Sequence, residues 1–134
     1  MRKKIIIILI LFLGLTGVGG YYALDHLFPK ADPIICPDES ELISISVGTN
    51  SDVFSILEPT EYPEILNILF EAEPTRTMSV NDYPSVIPYY TLVLTTSSRE
   101  YRYFIYEDRG QIYIEIPYEG IYGSDKQLLD LIIE

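Results

Sequence analysis

One stretch near the N-terminus constrains this chain more than any other feature. Residues 5–24 include no charged side chain, and 20 residues at about 1.5 Å of helical rise span roughly 30 Å, the thickness of a bilayer hydrocarbon core. Arg2, Lys3 and Lys4 precede the stretch, and all 20 acidic residues follow it. By the positive-inside rule, we expect a transmembrane segment with a cytoplasmic N-terminus and the remaining chain outside the cell.

A cleaved signal peptide is the alternative explanation of the same stretch. Residues 5–13 have the character of the apolar core of a signal, and Val18, Gly19 and Gly20 offer small residues at which cleavage can occur. The apolar run nevertheless continues through two tyrosines that would suit a membrane interface. We therefore expect a retained single-pass anchor, with secretion after cleavage as the second option.

The charge that follows the apolar stretch excludes one class of partner. Beyond Leu24 the chain has 20 acidic and six basic residues, a net charge of −14. Binding to nucleic acid relies on Lys and Arg to displace counterions from phosphates, so we expect no nucleic-acid partner. The same repulsion disfavours anionic lipid surfaces, so membrane association is expected from the N-terminal segment alone.

Proline spacing divides the rest of the chain. Prolines 29, 33 and 37 prevent a helix and favour an extended, semi-rigid spacer. We predict three segments: a membrane segment or signal peptide over residues 1–24, a linker over 25–40, and an extracytoplasmic domain over 41–134. The last segment is long enough for one domain and not for two.

The pattern from Glu41 onward predicts an α+β domain in the order β-β-α-β-β-β-α, with two helices packed on an antiparallel sheet of about five strands. Pro63 and the apolar stripe behind it favour a helix that ends before Pro74, and Ser124 with Gln127 fits a capping box that opens a C-terminal helix. Alternating runs bounded by turn residues favour strands. The predicted strands are Leu42–Val47, Val53–Leu57, Tyr89–Thr95, Tyr101–Glu107 and Gln111–Pro117.

Familiar catalytic and metal-binding patterns are missing from the sequence. His26 and Cys36 are the only histidine and the only cysteine, too few for a zinc site or thiol redox chemistry. No phosphate-binding glycine loop and no Gly-x-Ser-x-Gly motif is present. Carboxylate pairs such as Glu115 with Glu119 are expected to be solvated surface charges. We therefore predict no catalytic residues, no metal and no cofactor.

Tyrosine is the one residue type whose abundance suggests a binding role. The chain has twelve tyrosines and no tryptophan. An exposed tyrosine face can bind a peptide or a sugar, because each ring offers apolar area at low entropic cost and retains a hydroxyl. The alternative is that these tyrosines are ordinary strand residues that pack across neighbouring strands.

Two motifs carry a resemblance to a known family. They are Thr75-Arg76-Thr77-Met78-Ser79-Val80-Asn81-Asp82 and Tyr113-Ile114-Glu115-Ile116-Pro117-Tyr118-Glu119-Gly120-Ile121-Tyr122. The part from Glu41 to the end resembles a small domain of unknown function found in exported or membrane-tethered proteins of Gram-positive bacteria. The resemblance implies a location and a fold but assigns no catalytic residue.

We predict that the two motifs meet where the long loop of residues 73–88 reaches the end of the last strand, and that they form a binding site there. The alternative is a structural role, in which Arg76 forms a salt bridge with Asp82 or Glu115 that fixes the loop. The expected function is a membrane-tethered extracytoplasmic binding or interaction module of the cell envelope, with an envelope protein as partner and without enzymatic activity. Alternatives are a carboxylate-dependent enzyme that acts on an envelope polymer, and an immunity or inhibitor protein. The candidate binding residues are Arg76, Asn81, Asp82, Glu115, Tyr118 and Tyr122.

Overall fold

The computed structural model describes residues 2–50, 52 and 54–133, and the chain forms two compact units, Met1–Lys30 and Ala31–Glu134. The first unit contains helix α1, Arg2–Leu27. Its span Lys3–Leu27 includes an 18-residue window with a mean hydropathy of 2.2 and no buried residues, so it is long and apolar enough to cross a membrane. A signal sequence shares these properties, so α1 fits either prediction for the N-terminal segment.

The second unit is an α+β domain, as predicted. Its helices are α2, Tyr62–Glu71, and α3, Lys126–Ile133. Its sheet is antiparallel throughout, with strands in the order β2-β1-β4-β5-β6-β7-β3. The strands are β1 Leu42–Thr49, β2 Phe54–Ile56, β3 Glu73–Pro74, β4 Tyr90–Thr96, β5 Glu100–Asp108, β6 Gln111–Ile116 and β7 Gly120–Ser124.

The described residues form seven strands where about five were expected. The sequence pattern missed β3, which is only two residues long, and β7, which contains two glycines. The predicted capping box is also wrong. Ser124 belongs to β7, where its hydroxyl is buried, and Asp125 instead accepts the bond from the Gln127 backbone N–H at 2.8 Å.

The two faces of the sheet are covered by different parts of the chain. On one face, α2 and α3 pack over the main core, which includes Ile112 and Ile114 of β6, as the alternation of that strand predicts. On the other face, Tyr89, Phe104 and Tyr106 form a smaller cluster. Covering both faces explains why four consecutive residues of β5, Tyr103–Tyr106, are all buried.

The loop between β3 and β4 covers this second face. Tyr83 packs on Phe104 with ring centroids 5.7 Å apart, and Ser79 and Pro84 are buried. The loop of residues 73–88 therefore packs on the sheet, and one side of it covers the second apolar face.

The predicted linker begins and ends differently in the structure. Residues 25–27 continue α1, and from Ala31 onward the chain belongs to the second unit. Ile34 is buried in the main core, and the Ala31 backbone N–H donates to the Thr75 carbonyl oxygen at 3.2 Å. Proline keeps this segment extended, but Ile34 and Pro37 are buried on the domain, so the segment does not act as a free spacer.

Candidate ligand-binding cleft

A cleft of about 570 Å³ opens at one end of the sheet, a volume typical of sites for small ligands. The start of β5 and the end of β6 are adjacent because these strands are antiparallel. The β6–β7 turn and the segment of residues 32–35 complete the walls. The polar and aromatic side chains that line the cleft are Asp32, Arg99, Glu100, Tyr101, Arg102, Tyr103, Tyr118, Glu119 and Tyr122.

Tyr118 presents an aromatic ring to this cleft in an unusual backbone conformation. Its φ is 63°, a left-handed value that a non-glycine residue adopts at a cost and that occurs preferentially at functional sites. The side chain is 64% exposed, and its hydroxyl donates to Asp82 Oδ1 at 2.6 Å. This hydrogen bond raises the pKa of the Tyr118 hydroxyl. The ring is therefore exposed and yet held by its own hydroxyl.

Two buried tyrosines form the base of the cleft and hold its outer wall. The Tyr122 hydroxyl donates to the Asp32 carbonyl oxygen at 2.8 Å, and the Tyr103 hydroxyl donates to the Ile35 carbonyl oxygen at 3.4 Å. Burial raises the pKa of both hydroxyls, so both remain donors at neutral pH. They attach residues 32–35 to the sheet, and that segment thereby becomes part of the site.

The arginines at the rim are only weakly engaged by the protein. Arg99 lies over the Tyr101 ring, with Cζ 4.0 Å from the ring centroid. Arg102 Nη2 lies 3.9 Å from Glu100 Oε2, and both side chains are about half exposed. A pair of this kind contributes little in water, so the guanidinium groups remain accessible to a ligand.

The structure brings the two predicted motifs into direct contact. Thr75 and Thr77 bond to the backbone of Ile121, with the Thr75 N–H donating at 3.0 Å and the Ile121 N–H donating to Thr77 O at 3.1 Å. Asp82 meets Tyr118. Of the six predicted residues, Tyr118 and Tyr122 line the cleft and Asp82 orients one of them. Arg76 is half-buried and Asn81 is exposed, and both lie in the loop, outside the cleft lining.

Glu115 lies elsewhere, on the second face of the sheet beneath the loop. It is 5% exposed and accepts a hydrogen bond from the Ser79 hydroxyl at 2.6 Å. Burial and the neighbouring Glu115 raise the pKa of Tyr106, which also bonds to this carboxyl group. The expectation that Glu115 is a solvated surface charge is therefore wrong, because strand alternation places it beside Tyr113 under the loop.

Sequence reasoning missed several residues of the cleft. Neither motif includes the residues that flank the turn before β5, which are Arg99, Tyr101 and Arg102. Asp32 to Ile35 lie in the segment that proline spacing predicts to be a linker. The signal that could have pointed to them is the charge distribution: residues 31–134 carry only five basic side chains, and two of these line the cleft.

A metal site would need a different set of residues from those in the cleft. Within residues 2–50, 52 and 54–133, no three histidine, cysteine or carboxylate side chains lie close enough together to hold a metal ion. Cys36 is half-buried and unpaired, and burial raises the pKa of its thiol. The thiol is thus protonated and poorly suited to ligate a metal.

Comparison with known proteins identifies a family and a solved relative. The family DUF5301, described as "Domain of unknown function (DUF5300)", matches residues 30–123. An NMR structure of a protein from Ruminococcus gnavus shares the fold at 30% identity and a TM-score of 0.57, covering 67% of this chain and 89% of that one. No curated protein matches the chain. The matched range begins at residue 30, in agreement with a domain that starts near Ala31.

Proposed function

The chain belongs to the DUF5301 family of domains of unknown function, and on that premise we propose that it is a membrane-tethered extracytoplasmic binding module of the cell envelope whose ligand occupies the cleft. The observation that carries this proposal is Tyr118. A large aromatic ring is held exposed, in a strained backbone conformation, at the mouth of a cleft. Strain of this kind persists where the surrounding structure imposes it, most often at sites of function.

A binding role suits this cleft better than a purely structural one. The Tyr118 ring does not need to be ordered when a ligand arrives, since its hydroxyl is already bonded to Asp82, and preorganisation of this kind increases affinity. The tyrosines at the base of the cleft are engaged with the backbone of residues 32–35. The side chains free to meet a ligand are therefore those of the rim.

The N-terminal helix and the charge distribution support an envelope location. Helix α1 begins with basic residues and is followed by an acidic domain, which favours an anchor with the domain outside. Extraction of the native membrane with carbonate, together with the intact mass of the recovered protein, tests whether α1 is retained. A soluble product that lacks the first 20 residues or so would instead favour secretion after cleavage.

The binding role is tested by crosslinking in the native host. A photoreactive benzophenone amino acid replaces Glu119 at the cleft rim, and a matched variant carries it at Phe70, which is 74% exposed on α2 outside the cleft. We expect a reproducible adduct from position 119 and none from position 70. Equal adduct formation from both positions, or none from position 119, would contradict the proposal.

The adduct also distinguishes among classes of function. An adduct with a protein would support the predicted envelope partner, and an adduct that is retained on cell-wall material would identify a polymer. Release of a shortened product when the full-length protein is incubated with that polymer would point to the enzyme alternative, whereas an unchanged polymer supports binding without catalysis.

A further inference from the structure

We propose that the occupant of the cleft is a neutral oligosaccharide, an inference that rests on the proposed binding function and names its ligand class. A pyranose ring combines a C–H face, which is apolar, with hydroxyl groups around its edge. A site for such a ring therefore needs an exposed aromatic face beside both donors and acceptors of hydrogen bonds.

Tyr118 supplies the aromatic face. The ring is exposed and its orientation is set by the bond to Asp82, so the entropic cost of stacking a sugar ring on it is small. Tyr101 is a poorer candidate for stacking, because Arg99 already lies over its ring. We therefore assign the stacking role to Tyr118.

The rim of the cleft supplies both partners that a hydroxyl group needs. Arg99 and Arg102 can only donate hydrogen bonds, whereas Asp32, Glu100 and Glu119 accept them when ionised. A hydroxyl group donates and accepts at once, so a polyol can use both kinds of side chain. The two positive and three negative charges nearly cancel, which favours a ligand without net charge.

The charge of the whole domain argues against an acidic polymer. Residues 31–134 carry 19 acidic and five basic side chains, and screening at physiological salt acts only beyond about 8 Å. A polyanion that spans several sugar rings would extend past the two arginines and meet this negative surface. A neutral glycan avoids that repulsion.

The size of the cleft argues against a protein surface as its occupant. A cleft of about 570 Å³ suits a few sugar rings better than a protein surface, which buries about 800 Å² on each partner. Residues 100–103 of β5 pair with β4, whereas the pairing with β6 begins at Phe104. An extended peptide added beside residues 100–103 is therefore the competing occupant, and a protein adduct from position 119 would favour it.

The proposal is tested by calorimetric titration of the full chain in lipid nanodiscs with tetramers of N-acetylglucosamine and of β-1,4-linked glucose. A tetramer of galacturonic acid has the same length and carries negative charge. We expect saturable binding of at least one neutral tetramer and at least tenfold weaker binding of the acidic one. Tyr118→Ala should weaken the neutral complex by about tenfold, a loss in keeping with one aromatic contact. Phe70→Ala should leave it unchanged.

A second variant separates the ring from its hydroxyl. Tyr118→Phe keeps the stacking face and removes the bond to Asp82, so it should retain more affinity than Tyr118→Ala. Melting curves that match the parent chain ensure that neither variant has lost its fold. Equal affinity of all four chains for a neutral tetramer would overturn the assignment of the cleft.

The outcome also separates this inference from the binding function on which it rests. If neither neutral tetramer binds while position 119 still forms its adduct in the host, the oligosaccharide inference is wrong and the binding module stands. If the adduct fails as well, both proposals fail together.

Discussion

The hydrogen bond between Ser79 and Glu115 gives a sharp test of how the loop is held on the sheet. Ser79 is 3% exposed and Glu115 is 5% exposed, and their oxygens are 2.6 Å apart, a distance typical of a hydroxyl bonded to a carboxylate. Ser79→Ala removes the donor and leaves a buried carboxyl group with one bond fewer. Tyr106 remains as a second partner of that group, so its hydrogen bonding is reduced but not abolished.

The expected loss of stability follows from these contacts. A hydrogen bond to a charged group contributes about 1.5–3 kcal/mol, and the remaining Tyr106 bond places Ser79→Ala near the middle of that range, at about 2 kcal/mol. For a domain of roughly 100 residues, 1 kcal/mol corresponds to about 4 °C, so the melting temperature should fall by about 8 °C.

Chemical denaturation of the full chain, followed by the near-ultraviolet signal of its tyrosines, measures this loss. Ser85→Ala is the matched control, because Ser85 lies in the same loop and is exposed. It should change the free energy of unfolding by less than about 0.5 kcal/mol, as expected for a surface substitution. Glu115→Gln, combined with Ser79→Ala in a double-mutant cycle, gives the coupling energy directly. A Ser79→Ala effect no larger than that of Ser85→Ala would refute the idea that this bond anchors the loop.

Three further outcomes follow from the tyrosine hydroxyls. Tyr122→Phe removes the donor to the Asp32 carbonyl oxygen, so the free energy of unfolding should fall by about 1 kcal/mol, and amide exchange of residues 31–35 should accelerate. Burial raises the pKa of Tyr103 above its ordinary value. The contribution of Tyr103 to stability should therefore be fully present below about pH 10 and be lost as pH rises toward the folded-state pKa, because the Tyr103 hydroxyl loses its proton first in the unfolded chain. Tyr103→Phe should reduce that alkaline slope in denaturant titrations at pH 9 to 11. In an NMR titration, Tyr118 should ionise at higher pH than a free tyrosine, because its hydrogen bond to Asp82 and the charge of that carboxylate raise its pKa. Asp82→Asn weakens the hydrogen bond and removes the charge, so it should shift the pKa back.

The elements that the sequence predicts correctly are those whose signal is local. Alternation in Gln111–Ile116 determines which side chains reach the helices, and Pro63 with the apolar stripe behind it marks α2. In each case the residues that determine the structure lie within a few positions of one another. Periodicity is sufficient there, because the positions that pack in the main core recur at the period of the helix or of the strand.

Strand β7 fails the same test for a physical reason. Its glycines resemble a turn in the sequence, but Gly120 is required by packing, because a Cβ atom at that position would lie 2.5 Å from the Ala31 side chain. The residue that demands the glycine is thus 89 positions away in the sequence. No local pattern contains that information.

The segment of residues 31–37 lies within the predicted linker, and the sequence pattern does not show that it packs on the domain. The reason is related. Prolines indicate an extended backbone but do not say whether it lies in solvent or against a surface. Its acceptors are backbone carbonyl groups, and their donors, Tyr103 and Tyr122, come from two strands far along the chain. Every residue has a backbone carbonyl group, so the sequence does not indicate which carbonyl groups accept hydrogen bonds from these tyrosines.

The two motifs meet in the structure, but their side chains do not all reach one site. The backbones of the two motifs are hydrogen-bonded to each other. Strand alternation places Glu115 on the second face of the sheet, whereas Tyr118 lies beyond the end of β6 and lines the cleft. The loop therefore has two attachments with different consequences. The hydrogen bond from Ser79 to Glu115 holds the loop on the sheet. The hydrogen bond from Tyr118 to Asp82 of the same loop orients the ring that we assign to ligand binding. The loop that covers the second core thus also orients the Tyr118 ring at a cleft whose base, formed by Tyr103 and Tyr122, belongs to the main core.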